Sequence, residues 1–143
     1  MSIRFFQQTI TVLAPASDTN GVLGAVEVAS PSGAGPPLHV HHREDEAFYV
    51  LEGDYTVFVG DEAIPGVPGT WVWGPRDVPH GYHVHSPRGR HLSLTMPGGF
   101  EAFFEEVADL ATPSSDPRSA MSRLTAIAAR YGVELLGPPR SQT

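Results

Sequence analysis

Alternating apolar and polar residues fill the first two thirds of the chain. Over residues 5–13, Thr9, Thr11 and Leu13 take one parity and Ile10 and Val12 the other, the period-2 mark of a strand. Short runs at 22–28, 38–43, 47–51, 55–59, 71–73, 80–85 and 91–96 predict further strands. Glu52-Gly53-Asp54, Gly60-Asp61, Pro65-Gly66 and Pro68-Gly69 separate them as hairpin and turn signals. After Pro97 the period lengthens: Phe100, Phe103, Phe104, Val107 and Leu110 recur at helical spacing. A second helix is predicted to begin at Pro117 with Asp116 as N-cap, to carry Met121, Leu124, Ile127 and Ala128 on one stripe, and to stop at Gly132. Residues 133–136 then read as a short edge strand. The pattern predicts an all-β fold with C-terminal helices. A small antiparallel β-barrel or jelly roll covers 1–97, a helical extension packed on it covers 98–136, and a flexible tail covers 137–143.

The 143 residues suffice for one domain with a core, and 41% of them are hydrophobic despite 15 glycines and 14 prolines. A formal charge of −7 argues against a nucleic-acid partner. The chain has no cysteine, which removes disulfides, thiolate metal sites and cysteine nucleophiles. No apolar run is long enough to span a bilayer. Gln7, Gln8, Thr9 and Thr11 interrupt the N-terminal stretch where a secretion signal would be continuously apolar. A cytoplasmic location without a membrane partner is therefore expected.

All seven histidines lie between His39 and His91. On a strand His39 and His41 face the same side, about 7 Å apart at Cα, and His42 faces the other. That geometry suits two imidazoles converging on one ion, and equally a solvent-facing strand or a polar network. His80, after the turn Gly74-Pro75-Arg76-Asp77-Val78-Pro79, supplies a third imidazole where strands neighbour, and Glu46 a carboxylate. Three imidazole nitrogens and one oxygen suit one divalent Fe, Mn, Co, Ni or Zn ion and disfavour Cu(I).

These residues resemble the cupin superfamily. Gly33, His39, His41, Glu46 and Gly53 meet every spacing of its first motif, Gly-x5-His-x-His-x4-Glu-x6-Gly. Gly69, Pro75 and His80 match its second, Gly-x5-Pro-x-Gly-x2-His-x3-Asn, in which Asp77 replaces a glycine and Val84 an asparagine. The motifs cover about 33–84, and the strand pattern extends the likeness to about 3–97. The resemblance implies a jelly roll holding one metal on His39, His41, Glu46 and His80. Glu46 is either a ligand or a free base.

Strand parity places Phe48 and Val50 with Glu46, and Tyr82 and Val84 with His80. The expected substrate pocket comprises Phe48, Val50, Trp71, Trp73, Tyr82 and Met96. His91 fits either face. Phe100, Phe103 and Phe104 read as a helix face packed on the barrel or as a lid. The segments 36–41 and 48–53 are similar to those of single-domain bacterial cupins related to quercetin 2,3-dioxygenase. That likeness implies a dioxygenase acting on a flavonol or a similar enol-bearing aromatic small molecule. In the family's version Glu46 takes the 3-hydroxyl proton and ring cleavage releases carbon monoxide. Two alternatives stand beside it: a non-redox metal-dependent cyclase or isomerase of a polyketide or sugar, and a non-catalytic small-molecule-binding cupin. A homodimer is expected from the exposed strand edges of so small a barrel.

Overall fold

Two antiparallel sheets face each other in the computed structural model, which describes residues 2–108, 110 and 116–141. In chain order the strands are β1 (Ser2–Phe5), β2 (Gln8–Ala14), β3 (Gly24–Pro31), β4 (Leu38–His41), β5 (Asp45–Glu52), β6 (Tyr55–Val59), β7 (Glu62–Gly66), β8 (Trp71–Gly74), β9 (His80–Val84), β10 (Arg88–Met96) and β11 (Val133–Gly137). One sheet runs β1-β2-β3-β10-β5-β8 and the other β11-β4-β9-β6-β7, a jelly-roll sandwich. Two helices, α1 (Ala102–Val107) and α2 (Pro117–Arg130), precede the last strand. No helix among the described residues is long and apolar enough to cross a membrane.

The second helix begins where its sequence says it should. Pro117 needs no N–H partner in the first turn, and the Asp116 carboxylate accepts from the Ser119 N–H at 3.0 Å. Gly132, at φ 73, ends the helix and turns the chain into β11, which pairs with β4 along Val133–His41 to Gly137–Leu38. That strand therefore includes Gly137, one residue beyond the expected edge strand. Leu124 and Ala128 of α2 join Phe103, Val107, Ile3, Phe5, Ile10, Val26 and Val28 in one apolar cluster. A separate cluster of Phe48, Val50, Tyr55, Val57, Val72, Tyr82 and Val84 fills the sandwich.

Two expectations about strands change. Residues 5–13 are not one strand but a hairpin, with Phe5 paired to Gln8 across Phe6 and Gln7, both at positive φ (47 and 68). Two left-handed residues make the tight turn that matches strand twist, and the usual Asn-Gly signal for it is missing from the sequence. Residues 62–66, where Pro65-Gly66 signals a turn, form β7. Pro65 cannot donate to a ladder, but β7 is an edge strand, where that loss is tolerated. The first helix is also shorter than the 100–110 pattern. The motif glycine Gly53 sits at φ 100, and a Cβ there would lie 2.5 Å from the Arg88 carbonyl oxygen, so the turn admits only glycine.

Candidate metal centre and cavity

Both sheets contribute to the histidine cluster. β4 presents His39 and His41, β9 presents His80 directly opposite His39, and Glu46 reaches in from β5 on the facing sheet. One ligand atom from each of the four residues lies within 4.8 Å of the others. The turn before β9 is tied to β4 by the Asp77 N–H donating to the His41 carbonyl at 2.8 Å. Asp77 holds φ 69, a left-handed value that aspartate tolerates better than most residues, so the missing motif glycine leaves the bend intact.

The imidazoles are oriented from behind. The Pro37 carbonyl only accepts, so at 2.7 Å it fixes the proton on His39 Nδ1 and leaves Nε2 bare. Glu44 Oε1, 3.1 Å from His41 Nδ1, does the same for His41. His41 Nε2 and both nitrogens of His80 are buried without a hydrogen-bond partner among the described residues. Glu46 Oε1 lies 3.2 Å from His41 Nε2 and 3.3 Å from His80 Nε2, out of hydrogen-bond alignment, while Oε2 accepts from Ser93 Oγ at 2.6 Å. Each unsatisfied buried polar atom costs about 1–3 kcal/mol. A cation shared by the lone pairs relieves that cost, and this donor set fits a divalent ion of borderline or hard character.

Electrostatics set the two β4 ligands apart, and an ion on His41 must displace its proton. Burial, reinforced by His80 and His41, lowers the His39 pKa to about 3 and keeps it a neutral ligand. Burial alone would also lower His41, but Glu44 and Glu46 overrule it and raise the pKa to about 9. Burial pushes Glu46 up, yet contacts with His41 and His80 hold it well below the usual carboxylate range. Glu46 is thus an anion facing imidazoles. We expect Glu44→Ala to weaken metal affinity by about 10–100-fold without unfolding the barrel, because it frees the His41 ring. A competitive chelator titration measures this, and unchanged affinity would show that Glu44 does not orient the ligand.

The cluster opens into an apolar cavity with about 70 Å³ of free space. Phe48 and Tyr82 line it. Val50 faces inward but is packed in the closed cluster beyond the cavity. Trp71 and Trp73 are corrected outright: they are 56% and 45% exposed. Directly paired residues share a face, and β8 sets Val72 against inward Phe48, so Trp71 and Trp73 fall beside Tyr49 and Ala47 on the outer parity. Met96 is corrected for the same reason, since Thr95 pairs with Glu46 and Met96 takes the opposite side. His42 turns outward to Asp77 and Glu134, and Val84 is buried in the apolar cluster.

Sequence reasoning missed Gln8, Glu44 and Ser93 and left the face of His91 open. The last two share a parity on β10 with Thr95, so placing any one of them places the set. Gln8 carries no local signal. Another wall includes Phe100, Phe103 and Phe104, supplied by α1 and the turn before it, with the Phe100 ring centre 4.6 Å from that of His41.

A family model described as "Cupin domain" matches residues 26–91. Quercetin 2,3-dioxygenase of Bacillus subtilis (strain 168) is 30% identical over 98 residues, 68% of this chain. The chain spans under a third of that relative, 29% of its length. Among solved structures, KdgF from Halomonas sp. matches with TM-score 0.61 and 25% identity, over 67% of this chain and 84% of that one. The polyketide cyclase RemF from Streptomyces resistomycificus matches with TM-score 0.55 and 26% identity, over 63% of this chain and 65% of that one. The jelly roll, the His-His-Glu-His cluster inside it and these matches make the chain a member of the cupin superfamily.

Proposed function

We propose that the protein is a metal-dependent dioxygenase that cleaves an enol-bearing aromatic compound of the flavonol type. The observation that carries this reading is that Glu46 is the one carboxylate among the described residues lining a largely apolar, phenylalanine-rich cavity. With a divalent ion on His39, His41, Glu46 and His80, that ion would supply the redox or Lewis-acid chemistry. Glu46, held anionic, is placed to take the enol proton. Ser93 holds its Oε2 and thereby aims the other oxygen. Phe48 offers a flat platform beside His80, 5.8 Å between ring centres. The apolar walls keep water from the charged intermediate that deprotonation creates. The free space is below the roughly 300 Å³ at the small end of ligand pockets. A flavonol therefore enters only as the Phe100, Phe103 and Phe104 wall yields. That wall belongs to neither sheet, which makes it the part able to move. The similarity to a quercetin 2,3-dioxygenase supports the same reading.

The test is oxygen uptake and carbon monoxide release by protein loaded in turn with Fe, Mn, Co or Ni and given 3-hydroxyflavone or quercetin. We expect turnover with at least one metal and none without metal. Absence of oxygen uptake with every metal and flavonol would sink the reading. Turnover without oxygen by the zinc form would replace it with a cyclase or isomerase, the reading that the likeness to RemF supports.

A further inference from the structure

The cavity has a second polar end, one layer deeper than the ligand cluster. Tyr82 follows His80 by two residues on β9, and His91 precedes Ser93 by two on β10, which sets each about 7 Å further along its strand. Phe48 stands between the layers, with its ring centre 5.8 Å from that of His80, 6.0 Å from Tyr82 and 5.5 Å from His91. Gln8, Tyr82 and His91 all line the cavity, and they are only 1%, 7% and 2% exposed.

The hydrogen bonds at this end leave the Tyr82 proton to give and, with Tyr55 as donor to His91, a second on the His91 ring. Gln8 Nε2 donates to Ser30 Oγ at 3.0 Å and to the Tyr82 hydroxyl oxygen at 2.7 Å. The Tyr82 oxygen therefore accepts, and its own proton remains available. The Tyr55 hydroxyl lies 3.0 Å from His91 Nδ1. With the Tyr55 hydroxyl as donor to Nδ1, the ring proton of His91 sits on Nε2. Burial lowers the His91 pKa to about 4, with Glu46 opposing, and the ring is neutral. Neither the Tyr82 O–H nor the His91 Nε2–H meets an acceptor among the described residues.

We propose that Tyr82 and His91 form a donor pair that binds an acceptor oxygen at the end of the substrate remote from the enol. The acceptor is a carbonyl, ether or phenolic oxygen. The site then selects flat molecules that carry oxygen at both ends and are apolar between, with Phe48 under the middle. This rests on the reading of the cavity as an enol-binding site.

The experiment is calorimetric titration of zinc-loaded protein, which holds the site without redox turnover. The ligands are 3-hydroxyflavone and its 7-hydroxy and 4′-hydroxy derivatives, against wild type, Tyr82→Phe and His91→Phe. Wild type is expected to prefer one ring-hydroxylated ligand by about 10-fold, the worth of one or two neutral hydrogen bonds. Each variant is expected to bring that ratio close to one, with the affinity for 3-hydroxyflavone changed by less than about twofold. Equal affinities in wild type, or a preference that survives both substitutions, overturn the donor pair. If 3-hydroxyflavone is still oxidised by the redox-metal forms, the dioxygenase reading stands and only the pair falls. Wild type that binds none of the ligands overturns both. Independently, a ¹⁵N correlation spectrum of the His91 ring should show the proton on Nε2, and a proton on Nδ1 overturns the pair whatever the titrations give.

Discussion

His80→Ala is expected to abolish the stabilisation that divalent metal gives the wild-type protein. His80 is buried, both of its nitrogens lack a hydrogen-bond partner, and it is the ligand that β9 alone brings to the cluster. Without it His39, His41 and Glu46 still face one another, but the donor set drops from four to three. Even groups that only orient ligands alter affinity by about 10–100-fold, so losing a ligand should exceed about 100-fold. A metal present at 100 times its dissociation constant stabilises the folded state by about 2.7 kcal/mol. For a chain of this size that is on the order of 10 °C in melting temperature. Wild type should show that rise on adding Co or Ni, and His80→Ala should show almost none. The variant's own fold should survive, because the substitution removes an unsatisfied polar ring at the same time as it opens a small cavity. Equal metal-induced shifts in the two proteins would mean that the ion does not sit on His80.

Glu46→Gln carries the second large effect, and it falls on turnover. Glutamine keeps the length and an oxygen for the metal, but it is neutral and accepts no proton at physiological pH. A positioned general base contributes about 10²–10⁴-fold to rate. We expect kcat per bound metal to fall by about that factor, while KM for the flavonol moves little. Some metal affinity should be lost too, since the amide offers the ion a neutral oxygen in place of a charged one, while its NH2 can donate to Ser93 Oγ in place of the bond Oε2 accepted. Activity is therefore normalised to metal measured in the same sample. Full activity per metal would remove Glu46 from the proton-transfer role and leave it as a ligand only.

The ligand positions are legible in the amino-acid sequence because they depend on short-range rules. His39 and His41 share a face by parity, Glu46 and Gly53 follow at fixed spacings, and the turn before His80 is written in Pro75 and Pro79. Pro117, Asp116 and Gly132 bound the second helix for the same reason: caps and stops are local chemistry. The turn at Phe6 and Gln7 is not legible there, since neither residue is a usual carrier of positive φ and only the pairing of β1 with β2 holds them so. Pro65 hides β7 in a similar way, because its tolerance depends on the strand lying at an edge.

The sequence by itself determined that this chain is built of short strands with a helical end, and which four side chains can share an ion. Only the tertiary structure decided what surrounds that ion. Strand parity says that Trp71 and Trp73 lie together, but the pairing of Val72 with Phe48 decides that together means outside. It likewise leaves His91 open until the register of β10 against β5 turns it inward. Gln8, Ser93 and the phenylalanines of the α1 segment come from distant parts of the chain and meet at one cavity. Parity is a property of a few neighbouring residues, whereas the choice between core and solvent belongs to cross-strand register and to which sheet packs on which.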